Sequence, residues 1–280
     1  MSDSESTGSS TLRILFLGDV MGEPGRKAVA ALLPDLKEEL QADFIIINGE
    51  NSANGRGITP RIAIALMRSG AAVITTGDHI WDQKEIIPYM ADEPRILRPL
   101  NYPEGTPGRG SIVLETKKGK VGVINAQGRT FMKMDLDNPF PAMQQAVEEM
   151  RKETPIIFVD MHAETTSEKT AMGNFLDGTV SAVVGTHTHV QTADERILPN
   201  GTAFLCDAGM CGPLHSCIGM DVSIAIGRFV TLMPGKGHIA RGPVQLSGAV
   251  IDVDTETGKA VRIERLQRLW HSDENVTATA

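Results

Sequence analysis

The chain has 280 residues and a net charge of -8, which leaves room for one large α/β domain or two small ones. Its acidity argues against an extended polynucleotide surface, because such a surface needs a basic patch. Hydrophobic residues make up 41% and charged residues 22%, the balance of a soluble globular protein, and no apolar run approaches the roughly 18 residues of a membrane span.

The polar, acidic start "MSDSESTGSS" has neither the basic nor the apolar block of a secretory signal, so a disordered tail over residues 1–11 and a cytoplasmic location are expected. "LRILFLG" (Leu12–Gly18) then reads as a strand apolar on both faces. A helix is predicted from about Gly25 to Leu40, kinked or restarted at Pro34, followed by the strand "DFIIING". Thr59 and Pro60 form an N-cap and first-turn pair for a helix to Met67 or Arg68. "AAVITTG" is a third strand, with a short helix over Lys84–Met90 behind it. Ser111–Asn125 alternates around "KKGK" and predicts a hairpin. Next come a helix over Pro141–Lys152, the strand "PIIFVDM", a helix over Ser167–Leu176 and the strand "TVSAVVG". From Glu195 onward short strands are expected. With no repeat, linker or composition break, a single domain over residues 12–268 follows, with a C-terminal tail over 269–280.

The strand ends carry the chemistry. "LRILFLG" runs into Asp19, "DFIIING" into Glu50 and Asn51, and "AAVITTG" into Asp78 and His79. "PIIFVDM" runs into His162, and "SAVVGT" into His187 with His189 beyond it. Carboxyl ends of parallel strands line one edge of an α/β sheet, where ligands bind. Taken singly, Asp19 suits a helix cap and any one histidine suits a structural hydrogen bond. Gathered at one edge, these side chains exceed the four ligands of a tetrahedral zinc and suit two metals sharing a carboxylate, an arrangement used for displacement at phosphorus. His215, His238 and His271 show no such placement. Asn125 and Arg129 in "NAQGR" also follow a strand and are open to a substrate-contacting or a structural role. Cys206, Cys211 and Cys217 form no C-x-x-C pair and read as free thiols. No nucleophile elbow, P-loop or dinucleotide fingerprint is present.

The stretches "GDVMGEPGR", "NGENSANGRGIT", "TTGDHIWD", "DMHAETTSEK", "VGTHTHVQTADERILPNGTA" and "DAGMCGP" resemble the calcineurin-like metallophosphoesterases. Within them the match is to the YmdB-like branch of 2′,3′-cyclic-nucleotide 2′-phosphodiesterases, over about Arg13 to Leu266. The resemblance implies an α/β fold of the αββα sandwich type, two sheets face to face between helices. It implies two divalent transition-metal ions, iron or manganese, with Asp19, Asn51 and His189 on the first. Asp78, His162 and His187 would hold the second, Glu50 would bridge both, and His79 would act as proton donor. The substrate would be a small cyclic nucleotide or phosphodiester, hydrolysed to a 3′-nucleotide by water activated between the cations. A homo-oligomer would be in keeping with the family. Two departures stand out: Asp19-Val20-Met21 lacks the superfamily's Asp-x-His, and Gly77-Asp78-His79 stands where the branch usually reads Gly-Asn-His. The competing functions are a phosphomonoesterase or nucleotidase with the same metals, and a regulatory protein that binds a nucleotide or an RNA end.

Overall fold

The computed structural model describes residues 11–234 and 237–271. The expected tails therefore lie outside the described residues, except that Thr11 already opens the first strand and Leu269 and Trp270 close the last one. In chain order the elements begin with β1 (Thr11–Leu17), β2 (Asp19–Val20), α1 (Gly22–Glu39), β3 (Phe44–Asn48), α2 (Pro60–Arg68), β4 (Val73–Thr75), α3 (Ile86–Asp92) and β5 (Ile96–Leu97). The middle of the chain supplies β6 (Ser111–Thr116), β7 (Gly119–Gln127), α4 (Pro139–Met150), β8 (Ile157–His162), α5 (Thr166–Phe175) and β9 (Ala182–Thr186). The remainder forms β10 (Arg196–Ile197), β11 (Ala203–Leu205), β12 (Met210–Pro213), α6 (Val222–Thr231), β13 (Val244–Asp254) and β14 (Ala260–Trp270).

These strands build two mixed sheets. One has eight strands in the order β2-β12-β13-β1-β3-β4-β5, with β14 paired to β13; the other has six, in the order β10-β11-β9-β8-β7-β6. Side-chain alternation sorts the core into three layers. Leu15, Leu17, Ile45 and Ile47 face outward and pack under α1, α2 and α3. Ile14, Phe16, Phe44 and Ile46 face inward and meet Val121, Phe158 and Val184 of the second sheet, with the Phe16 and Phe158 rings 4.9 Å apart. Ile157, Val159 and Val183 point away from that seam and pack on α4 and α5. The expected αββα sandwich is the fold observed, and it explains why the strands read apolar on both faces.

Local expectations mostly hold. Thr59 caps α2 by accepting from the Ile62 N–H, and β6 and β7 pair antiparallel around Lys117 and Lys118. The helix α1 runs continuously through Pro34, kept on the sheet by Val29, Leu33 and Leu36. One expectation needs correcting, since the strand-rich final third also contains α6. Asp221 caps that helix, its Oδ1 accepting from the Ser223 and Ile224 N–H groups. The β-branched run "VSIAI" mimics a strand, and α6 buries none of its residues. No described helix is long and apolar enough to cross a membrane.

Candidate metal centre

The topology brings the predicted strand ends together. In the first sheet β1, β3 and β4 run parallel side by side, and in the second β7, β8 and β9 do the same. Because the two sheets stack, Asp19, Glu50, Asn51 and Asp78 from one meet His162, His187 and His189 from the other. Close approach at β4 requires a glycine at Gly77, where a Cβ would collide with Glu50 Oε2 and the His162 ring.

Glu50, Asp78, His162 and His187 each offer a ligand atom, and these atoms lie within 4.8 Å of one another. His162 Nε2 is 2.9 Å from Glu50 Oε2, 3.3 Å from Asp78 Oδ1 and 3.1 Å from His187 Nδ1. The ring of His162 is fixed from behind. Thr186 Oγ1 donates to Asp160 Oδ1 at 2.7 Å, so its lone pair accepts the His162 Nδ1–H at 2.9 Å. Nε2 of His162 therefore faces the cluster, where it could offer its lone pair to a cation once deprotonated. The buried Glu50 Oε2 is 2.9 Å from His162 Nε2 but receives no well-directed hydrogen bond, an unsatisfied position that a cation would satisfy. The donor set of carboxylate oxygens and imidazole nitrogens, without thiolate, fits a borderline or hard divalent ion.

Beside this group sits a second one. Asn51 Nδ2 is 3.0 Å from His189 Nε2 and 3.5 Å from Asp19 Oδ1, and His189 Nε2 is 3.9 Å from Asp19 Oδ1. His189 donates Nδ1–H to the Ile218 carbonyl at 2.9 Å, which again turns Nε2 inward. His79 lines the mouth of the same crevice, its Nδ1 3.0 Å from Asp82 Oδ2 and its Nε2 3.9 Å from Asp78 Oδ2. All eight residues singled out in the sequence thus meet in one place.

Electrostatics agree with the geometry. Burial, opposed by His162, pushes the Glu50 carboxyl up to about 8. Burial drives His162 down, but Glu50 and Asp78 reverse this and hold it well above its ordinary value. Asp78 is raised by burial, yet hydrogen bonds from His162 and His187 more than offset that and hold its carboxyl well below the usual range. Such ligands must be deprotonated to take up a cation, so metal binding at this cluster would depend on pH.

The sequence reading missed the supports. Asp160 is fully buried, and burial pushes its carboxyl up to about 6 against hydrogen bonds from Thr75, Thr186 and Asn48. Those donors come from β3, β4 and β9, so one carboxylate ties the two sheets together beneath the site. His187 and His189 both have positive φ, 100° and 66°, a strained backbone for non-glycine residues. Between them Thr188 donates its N–H and Oγ1 to Asp207 Oδ2, at 3.1 Å and 2.7 Å. Asp207 is in turn paired with buried Lys169 at 2.8 Å. Glu164, half-exposed, places Oε2 3.1 Å from His187 Nε2. Lys169 and Glu164 stand in "DMHAETTSEK" and Asp207 in "DAGMCGP", so the signal lay inside stretches already singled out. Asn125 proves structural: it is buried, and its Oδ1 accepts from the Thr76 N–H. Arg129 lies near Asp135, outside the crevice lining. His238, which showed no placement in the sequence, lines the crevice. The three cysteines are free.

Residues 15–266 match the family described as YmdB-like protein. The chain belongs to that family. It is 52% identical over 255 residues to the 2′,3′-cyclic-nucleotide 2′-phosphodiesterase of Bacillus subtilis, covering 91% of this chain and 96% of that protein. Among solved structures, a hypothetical protein from Thermus thermophilus superposes with a TM-score of 0.85 at 40% identity, covering 93% of this chain and 100% of the other. A novel phosphatase of Mycoplasma pneumoniae superposes with a TM-score of 0.88 at 33% identity, covering 96% and 97%. Membership of the family agrees with the fold and with a candidate metal-binding group at the strand ends.

Proposed function

We propose that this chain is a metal-dependent phosphodiesterase acting on 2′,3′-cyclic nucleotides, a reading supported by the name of the Bacillus subtilis relative. The observation that carries it is the convergence of the Glu50, Asp78, His162 and His187 ligand atoms at the base of an open crevice. On this reading Asp19, Asn51 and His189 hold one ion, Asp78, His162 and His187 hold the other, and Glu50 reaches both. The ions would be iron or manganese, in keeping with the oxygen and nitrogen donors. When bound, they supply a nucleophile from water near neutral pH and neutralise charge on the phosphoryl oxygens.

The chain's own residues do the rest. The crevice is open to one side, so a cyclic phosphate enters over His79 and Glu50. A new P–O bond forms to the attacking water oxygen, the P–O2′ bond breaks, and the 2′-oxygen must take a proton. Asp82 accepts the His79 Nδ1–H, which leaves Nε2 facing the crevice to carry that proton in the imidazolium form. The product is a 3′-nucleotide.

Elemental analysis after gentle purification should find more than one metal equivalent per chain, and His187→Ala and His189→Ala should each lose about one. Full retention in both variants would overturn the ligand assignment. In parallel, adenosine 2′,3′-cyclic phosphate should be cleaved to the 3′-nucleotide, with bis(p-nitrophenyl) phosphate preferred over p-nitrophenyl phosphate. Preference for the monoester would favour a phosphomonoesterase.

Asp78 offers a finer test. Three carboxylates leave two divalent ions with one residual positive charge, whereas Asn at position 78 would leave two. A coordinating carboxylate is ionised, so on this reading the difference between Asp and Asn is a full charge. Asp78→Asn is therefore expected to raise activity on the anionic diester, move the acidic limb of the pH–rate profile downward and loosen the ion beside His162. Superimposable profiles at saturating manganese would contradict this.

A further inference from the structure

The crevice at the ligand cluster does not end there. Its cavity of about 550 Å³ is lined beyond the metal side by Arg56 and Arg228. Along Asn54, His238 and Ile239 it adjoins a second cavity of about 720 Å³, which carries Lys27, Arg241 and Trp270. Each volume falls in the range of about 300–1,000 Å³ typical of small-ligand sites. The whole chain has a net charge of -8, yet four Lys and Arg side chains gather on these adjoining walls. Outside the metal cluster the acids facing them are Glu164 in the first cavity and Glu23 in the second. Glu23 is joined to Lys27 at 3.1 Å by an exposed pair that costs little to open. Arg56 and Arg241 have no ion-pair partner among the described residues.

Cationic side chains around an aromatic ring are how proteins hold single-stranded nucleic acid: the cations track phosphates and the ring stacks a base. The first cavity, at about 550 Å³, has room for a mononucleotide by itself, which leaves the second for a further one. We infer that the substrate is the 3′ end of a short single-stranded RNA carrying a 2′,3′-cyclic phosphate. Its last nucleotide lies over the ligand cluster and its penultimate nucleotide in the cavity of Lys27, Arg241 and Trp270. This rests on the phosphodiesterase reading above. The bond broken is the same P–O2′ bond, with the proton again going to the 2′-oxygen. The net charge of -8 over the whole chain disfavours a long polynucleotide footprint, and the proposal is confined to the two nucleotides these cavities hold.

The test compares adenosine 2′,3′-cyclic phosphate with adenylyl-3′,5′-adenosine 2′,3′-cyclic phosphate on the metal-loaded protein. The dinucleotide should show a kcat/KM at least about fivefold higher, the gain of one stacked base. The slope of log kcat/KM against log salt should steepen by about 0.7 for one further phosphate contact on a single strand. Calorimetry with the two 3′-phosphate products should give the same order of affinity, independent of turnover. Arg241→Ala, a surface change, and Trp270→Ala should each lower the dinucleotide-to-mononucleotide ratio. Equal kcat/KM, equal salt slopes and equal product affinities would overturn the inference while leaving the phosphodiesterase reading intact. If bis(p-nitrophenyl) phosphate is cleaved and neither cyclic phosphate is, the cyclic-nucleotide reading falls and this inference falls with it.

Discussion

Replacing Lys169 with methionine is expected to destabilise the protein by about 3–5 kcal/mol, measured by urea unfolding in the presence of a chelator so that metal binding does not contribute. Lys169 Nζ is the cation facing Asp207 Oδ2 at 2.8 Å, and both side chains are buried. Removing one partner leaves a buried carboxylate whose remaining donors are Thr188, through its N–H and Oγ1, and the Gly209 N–H. The consequence should reach the candidate metal centre. Asp207 holds Thr188, and Thr188 separates His187 and His189, whose positive φ values cost on the order of 1–3 kcal/mol each. A structural effect and a positioning effect can be told apart with the double variant Lys169→Met/Asp207→Leu. Replacing a buried pair with apolar side chains often restores stability. The double variant is therefore expected to unfold near the wild-type urea midpoint yet bind metal more weakly. Recovery of both properties would mean that Asp207 does not brace the histidine loop.

His79→Ala is expected to lower turnover of a 2′,3′-cyclic nucleotide by about 10²–10⁴-fold while leaving metal content nearly intact. His79 is only 23% exposed, faces the crevice and is oriented by Asp82 at 3.0 Å. The ribose 2′-oxygen is a poor leaving group unless protonated, whereas p-nitrophenolate leaves without help. The loss should therefore shrink sharply for bis(p-nitrophenyl) phosphate, and Asp82→Asn should follow the same pattern less steeply because only the ring's orientation is lost. Equal losses on both substrates would make His79 a substrate-positioning residue.

Much of the site was legible in the chain before any coordinates. Strands buried on both faces leave continuous apolar runs, and the residue that ends such a run in a parallel sheet has to stand at the ligand-binding edge. That physical link picked out Asp19, Glu50, Asn51, Asp78, His79, His162, His187 and His189, and the structure gathers all of them. The periodicity also placed α2, α4 and α5 and the β6–β7 hairpin. Strands of two to four residues such as β2, β5 and β12 left no periodicity to read, and α6 was not anticipated among the short strands expected after Glu195.

Only the tertiary structure decided what stands behind the candidate ligands. Lys169 and Asp207 are separated by 38 residues, and the Asn48–Asp160 bond spans 112. A lysine or aspartate in sequence looks the same whether solvated or buried, because burial is decided by how the two sheets stack. The hydrophobic pattern fixes which face of each strand turns inward. Which polar groups then meet across the seam depends on sheet order and register, and these set the tautomers of His162 and His189 and the backbone strain of the histidine loop. The adjoining basic cavities have the same origin: Lys27, Arg56, Arg228 and Arg241 are scattered along an acidic chain and become neighbours only when the sandwich closes.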